Sequence, residues 1–282
     1  MYLTTQGYRA GMPQLSLTGI SENWILKECG QKHWDALASH GQRERPDFFD
    51  DVGRRSYAAF TAIRVRTAGF EKVRENDDFE IRTSLHRVGQ ARHFSRHELI
   101  SRREGHCSVS MSSTFVTRSE VANNRSISRA TLTSLAGEIA DPPAEAAEMF
   151  ALGKAVRNSD LGNREAISRE LLPNLNTQYV SSCEFHPCPN GDFNGADLLY
   201  FASFQAFVDR AEWQTHKFKE PPVTTARDMF FYGNVNLGDS VLVRTIGERI
   251  DKRGIAHWCH VLRASDGAKI ADVITEKRWK NS

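Results

Sequence analysis

The chain has 282 residues, 40% hydrophobic and 26% charged, enough for one large domain or two of ordinary size and apolar enough to bury a core. Its formal charge of +2 lacks the cationic surplus that broad nucleic-acid binding requires, so no nucleic-acid partner is expected. No stretch approaches the roughly 20 apolar residues of a membrane helix, and the start, MYLTTQGYRAGMPQ, has no apolar export run.

The expectation is therefore a cytoplasmic protein with no membrane partner. Its five cysteines (Cys29, Cys107, Cys183, Cys188 and Cys259) form no CxxC pair, and in that compartment they read as reduced thiols, not as a disulfide frame or a zinc site.

In chain order, GISENWILKECGQKHWDALASH from Gly19 reads as a helix with a core face of Ile20, Trp24, Ile25 and Leu26. Ser21 and Glu22 are favourable at its start. A charged loop leads to the strand-like SYAAFTAIRVRT. FEIRTSL and HCSVSMSSTFVT then alternate with period two. One face holds Phe79, Ile81, Thr83 and Leu85, the other segment's face Cys107, Val109, Met111, Ser113 and Phe115. A polar stretch with Asp141-Pro142-Pro143 and a short helix, AEAAEMFALGKAV, reads as a linker crossing the surface.

Next comes DFNGADLLYFASFQAFVDRAEW. Phe193, Leu198, Leu199, Tyr200, Phe201, Phe204, Phe207, Val208 and Trp213 point nearly all round a helical wheel, which predicts a helix buried on all sides. Asp192 or Asn194 would cap it, and Asp209, Arg210 and Glu212 mark where it emerges. SVLVRTI, GIAHWCHVL and AKIADVIT follow as strands, separated by the turns Asp251-Lys252-Arg253-Gly254 and Ser265-Asp266-Gly267.

The two halves repeat weakly. A glycine precedes each helix and a tyrosine follows in a strand-like segment. The spacing is 38 residues from Gly19 to Tyr57 and 37 from Gly195 to Tyr232. Each half reads as a helix followed by an antiparallel meander, an α+β solution. The predicted division is an N-terminal repeat over 1–120, a linker over 121–175 and a C-terminal repeat over 176–282.

The segment DFNGADLLYFASFQAFVDRAEW resembles the approach to the helix in hot-dog thioesterases, where an Asp and a Gly precede a helix carrying a Tyr and other aromatics. The string GMPQLSLTGISENWILKECGQKHW, with RRSYAAF, is similar to a narrower group, the double hot-dog acyltransferase/decarboxylase family of leinamycin-type polyketide biosynthesis. The resemblance runs from about Met12 to Trp279 and implies two hot-dog repeats, each a buried helix wrapped by an antiparallel sheet. It also implies decarboxylation of methylmalonyl-CoA with delivery of the propionyl group to an acyl carrier protein. An active-site tyrosine is implied at Tyr57, either as an acylated nucleophile or as a donor that orients the substrate carboxylate.

Such chemistry needs no metal or organic cofactor, the coenzyme A thioester being the substrate. It needs an enolate oxygen held by preorganised donors, and amides at the start of a helix suit that task. Gly19-Ile20 and Asn194-Gly195 are the candidates, glycine letting a thioester approach closely; both glycines also fit a simple turn into a helix. The Tyr57 phenol, with an ordinary pKa of about 10, is a neutral donor without adjustment, and on a strand it shares a face with Arg55 but not Arg54. A strand tyrosine of the core is the bland alternative.

Tyr232 reads as structural, and Asn234 beside it as a pantetheine contact or a turn residue. Asp192 reads as a helix cap or, in a thioesterase, a general base, a role Glu22 could also take. His257 and His260 fall on opposite faces of a strand and make poor co-ligands for a metal. The pairs Arg92/Arg96 and Arg102/Arg103 suit CoA phosphates, an acidic carrier protein or a solvated strand margin. Three activities stay open: decarboxylation with acyl transfer, acyl-CoA or acyl-carrier thioester hydrolysis, and acyl binding without turnover. A homodimer is compatible with each.

Overall fold

The computed structural model describes residues 2–102, 105–135, 138–158, 175–176 and 181–280. Contacts divide the chain into two compact units, Met1–Met149 and Phe150–Ser282. In the first, β1 (Tyr2–Arg9), the short strands β2 (Leu15–Ser16) and β3 (Gly19–Ile20), and helix α1 (Glu22–His40) precede the main strands. These are β4 (Phe48–Phe49), β5 (Arg55–Ala68), β6 (Asp78–Arg87), β7 (Arg92–Ser101), β8 (His106–Arg118) and β9 (Ile127–Arg129). Pairing is antiparallel in the order β1-β6-β7-β8-β5, with β4 on β5 and β9 on β8.

Helix α2 (Ala144–Arg157) contains the boundary between the units. The second unit continues with β10 (Ser181–Phe185), a helical turn at Pro189–Asp192, and α3 (Phe201–His216). The strands β11 (Val223–Phe231), β12 (Val241–Ile250), β13 (Gly254–Arg263) and β14 (Lys269–Arg278) complete it. Its antiparallel order, β10-β12-β13-β14-β11, is that of the first unit.

Both units thus depart from a helix followed by a plain meander. A strand precedes the helix and pairs with the first strand of a three-stranded meander, while the strand after the helix pairs with the last. The leading strands escaped notice because β1 and β10 contain no fully buried residue, and a strand that buries neither face carries little hydrophobic alternation.

The interior faces follow the pleat. Phe79, Ile81 and Leu85 of β6 and Cys107, Val109, Met111 and Phe115 of β8 are buried. The C-terminal part of α1, through Ala36, Leu37 and Ala38, packs on Phe115, Leu85 and Ala58. Ser21 begins α1 as expected, its hydroxyl accepting the Trp24 amide at 3.3 Å.

Helix α3 corrects two expectations. It begins only at Phe201, behind Tyr200, because the Asn194 carboxamide accepts the Ala196 and Leu198 amides (3.0 and 3.2 Å) and turns the chain, with Asp197 in the left-handed region. Neither Asp192 nor Asn194 caps it. Nor is it buried all round, since Trp213 is 50% exposed and Arg210 also faces solvent.

The stretch read as a surface linker contains α2, whose Ala146, Met149 and Val156 are fully buried, spaced as one face of a helix requires. Much of the rest of that stretch lies outside the described residues.

The weak repeat also changes meaning. Tyr57 is the third residue of β5, whereas Tyr232 follows the last residue of β11. The connection from α1 to β5 is longer than that from α3 to β11, so nearly equal glycine-to-tyrosine spacing does not give equivalent places.

Gly19 has φ +103°, and a Cβ there would stand 2.0 Å from the Phe70 carbonyl oxygen, whereas a Cβ on Gly195 meets nothing within 4 Å. Gly19→Ala is expected to destabilise the chain by about 2–4 kcal/mol and Gly195→Ala to stay within about 0.5 kcal/mol of wild type, as read by urea unfolding.

Candidate functional site

Tyr57 pairs with Val116 across β5 and β8. Its neighbour Ala58 packs with the α1 core, and Phe60 touches the rings of His33 and Trp34 on α1. Alternation therefore turns the phenol to the sheet face away from α1. It is half-buried there, with the Arg55 guanidinium 5.9 Å from the ring centroid. Arg54 instead pairs with Asp50 at 2.8 Å, so the face sharing of Arg55 and Tyr57 is observed.

Gly19 and Ile20 form β3, paired with β2 and buried. Gly19 abuts the backbone of Phe70 and Glu71, just past the end of β5, whereas Tyr57 lies near that strand's start. Within this unit the start of α1 and Tyr57 are thus at opposite ends of a 14-residue strand. A strand rises roughly 3.3 Å per residue, which puts them some tens of ångströms apart. The Gly19 conformation and close packing serve the backbone turn.

In the second unit three candidates come together. Asn234 accepts the Leu199 and Val235 amides through Oδ1 (2.9 and 3.0 Å) and donates from Nδ2 to the Leu199 carbonyl at 3.2 Å. Asn194 closes the turn that contains the exposed Gly195. The two carboxamides fix the approach to α3 from both sides and leave the Gly195 backbone accessible. Asp192 is buried: Oδ2 accepts the Cys188 amide at 2.8 Å, and its carbonyl accepts the Tyr200 amide and the Ser203 hydroxyl.

Other polar groups were not singled out from the sequence. Between α1 and its sheet, both ring nitrogens of His33 are hydrogen-bonded, to Ser95 Oγ (2.6 Å) and Ser113 Oγ (2.7 Å). Ser95 also meets His97 Nε2, and Thr83 meets His97 Nδ1. Burial, then the neighbouring His97 and His93, holds His33 well below the ordinary imidazole range. His97 is lowered to about 3, first by burial and then by the Lys32 charge. This line of neutral imidazoles and hydroxyls is fully buried.

On the α3 side of the second sheet, Asp209 and Glu212 meet the buried cations Arg227 and Lys277, each contact at 2.8 Å. His257 Nε2 bonds Glu212 at 2.9 Å, and His257 Nδ1 faces Cys259 Sγ at 3.4 Å.

The opposite face carries a fully buried carboxylate, Asp272. It accepts from Trp258 Nε1 (2.9 Å), Tyr232 Oη (2.9 Å) and Lys269 Nζ (2.8 Å), and His260 Nε2 lies 3.2 Å from it. The His260 side chain is 18% exposed. His257 and His260 thus stand on opposite faces with different acidic partners. The available signal was Asp272 itself, an acid inside the apolar run AKIADVIT, where a buried carboxylate demands donors.

No family model matches the sequence, and no curated protein matches it. Solved structures do. The chain superposes on the 12:0-ACP thioesterase from Umbellularia californica with a TM-score of 0.63 at 10% identity, over 99% of this chain and 94% of that one. An acyl-ACP thioesterase from Bacteroides thetaiotaomicron gives 0.59 at 10% identity, over 98% of both chains. At that identity the likeness is one of fold, the hot-dog fold that the sequence resemblance implied.

Burial opposes a charged His257, yet its contacts with Cys259 and Glu212 outweigh burial and push its pKa up to about 9. Relative to an unfolded value near 6.5, its stabilisation is complete below about pH 6.5 and is lost as the pH rises through about 9. Denaturant midpoints should fall over that window, and His257→Gln should flatten the fall; an unchanged profile in the variant would count against the ion pair.

Proposed function

We propose that this chain is an enzyme acting on acyl thioesters of coenzyme A or of an acyl carrier protein, that it consists of two hot-dog repeats, and that it hydrolyses the thioester. Support comes from the chain-long fold likeness to two acyl-ACP thioesterases. The carrying observation in the chain's own chemistry is the His260–Asp272 pair, an imidazole reachable from solvent against a buried carboxylate.

Three features support the second unit as the seat of the reaction. Tyr232, on Asp272, is two residues from Asn234, which fixes the approach to α3. The Gly195 backbone there is open to a thioester. Another partly exposed imidazole–carboxylate pair of this unit, His216–Glu248, belongs to the far end of α3.

In this reading Asp272 lies 3.2 Å from His260 Nε2, and the ring's other nitrogen, Nδ1, takes a proton from water as that water attacks the thioester carbonyl and returns it to the departing thiolate. Trp258, Tyr232 and Lys269 hold Asp272 in place. The reaction draws on no metal or organic cofactor. His260→Gln is expected to lower CoA release from saturated acyl-CoAs by about 100-fold or more without changing the unfolding midpoint by more than about 1 kcal/mol. Full activity in that variant would dismiss the assignment.

Decarboxylation of a malonyl-type thioester with acyl transfer to a carrier protein is the second reading. It is favoured by the sequence match at RRSYAAF and by the half-exposed Tyr57 phenol beside Arg55, a pair suited to a carboxylate. With methylmalonyl-CoA, hydrolysis yields free CoA and methylmalonate, whereas the second reading yields carbon dioxide and a propionyl thioester. Tyr57→Phe should abolish the latter products and leave saturated acyl-CoA hydrolysis intact.

A further inference from the structure

Strand β13 carries two reactive side chains, His257 and Cys259, two residues apart and therefore on one face, the side of α3. Cys259 Sγ lies 3.4 Å from His257 Nδ1, and His257 Nε2 lies 2.9 Å from Glu212 Oε2. Thiol, imidazole and carboxylate thus stand in line, all of them buried side chains. A carboxylate only accepts, so Nε2 carries a proton and donates it to Glu212. Nδ1 is left to face the sulfur, with one proton between them.

The surroundings sustain this arrangement. Burial opposes an ionised Glu212, yet the His257 hydrogen bond and the Lys277 charge hold its carboxyl below the usual range. The acids Asp209 and Glu212 face the cations Arg227 and Lys277, two against two. Passing the thiol proton to His257 therefore creates a contact ion pair and adds no net charge to the buried cluster. Burial penalises a paired charge far less than a lone one.

The thiol also ends a polar row. Cys259 pairs with Thr245 across β13 and β12, and Thr245 with Ser181 across β12 and β10. The Thr245 hydroxyl lies 3.6 Å from Sγ and accepts the Ser181 hydroxyl at 3.2 Å. Ser181 is partly exposed, on the strand at the margin of this unit's sheet. Such a row of hydroxyls suits a small hydrogen-bonding reagent and not one as large as an acyl thioester.

Cys29 and Cys107 are buried as deeply, in a different setting. Burial, then the Glu28 charge, pushes the Cys29 thiol up, and burial, then Cys29, does the same to Cys107. Both are protonated, inert thiols.

A nucleophile beside a base that a third group orients is the arrangement that activates a thiol. We infer that Cys259, His257 and Glu212 form a thiol site that reacts with hydrogen peroxide. The sulfur attacks one peroxide oxygen and the O–O bond breaks. The thiol proton passes through His257 Nδ1 to the departing hydroxide, which leaves as water. Cys259 becomes a sulfenic acid, oxidised by two electrons, and the peroxide is reduced by two. The site lies on the sheet face opposite His260 and Asp272 and is independent of the proposed hydrolysis.

The test is a short pulse of hydrogen peroxide on the folded chain, ended with catalase and followed by unfolding in dimedone, which labels sulfenic acids. Peptide mass spectrometry then gives a rate for each cysteine. Cys259 should oxidise about tenfold or more faster than Cys29 and Cys107, and His257→Gln should bring it down to their rate. A bulky aromatic disulfide, applied in parallel, should leave Cys259 unmodified over the same time.

A wild-type Cys259 rate equal to that of Cys29 and Cys107 overturns the site. Equal modification by the bulky disulfide overturns it too, because the reactivity would then come from opening of the unit. A folding defect in His257→Gln raises the Cys259 rate and loss of the base lowers it, so the direction separates the two, and the wild-type comparison decides by itself.

Discussion

The pleat of the β-strand is the constraint from which the rest follows. Successive side chains must point to opposite sides, and in each unit one side of the sheet is given to a long helix. Every strand residue is thereby committed either to the helix side or to the outer side, with no intermediate choice. Ala58 and Phe60 go to α1, so Tyr57 cannot. His257 and Cys259 go to α3, so Trp258 and His260 cannot, and they meet Asp272 on the outer face. Both constellations that could act on a thioester are outer-face constellations, produced by the same alternation that builds the core.

The helix sides are unusual in how much polarity they bury. In the first unit it is neutral, imidazole bonded to hydroxyl, with burial as the leading cause that keeps the rings uncharged. In the second it is ionic, with Asp209 and Glu212 set against Arg227 and Lys277. Buried charges of this kind add little net stability against an apolar replacement, yet losing one partner strands the other at a cost of several kcal/mol. They join α3 to β11 and β14 of its sheet.

The fold and the chemistry rest on different kinds of observation. Likeness to acyl-ACP thioesterases at 10% identity reaches across almost the whole chain, but one fold hosts many reactions. The proposed hydrolysis therefore rests on the His260–Asp272 pair, and the proposed decarboxylation on the Tyr57 face. They differ in the products expected from one substrate, and each depends on a different side chain.

The sequence by itself determined several of the strands and their faces. Phe79, Ile81, Thr83 and Leu85, and Cys107 through Phe115, could be assigned to one side because alternation is a local property of the chain. It also determined the two helices and the turns at Asp251–Gly254 and Ser265–Gly267, where glycine and aspartate act within a few residues. Local patterns did not determine where α3 starts, since the Asn194 turn and the distant Asn234 decide it. Nor did they reveal β1 and β10, which bury no residue fully. The pair His260–Asp272 and the separation of Gly19 from Tyr57 were decided only by strand order, because it alone fixes which residues remote in sequence lie side by side.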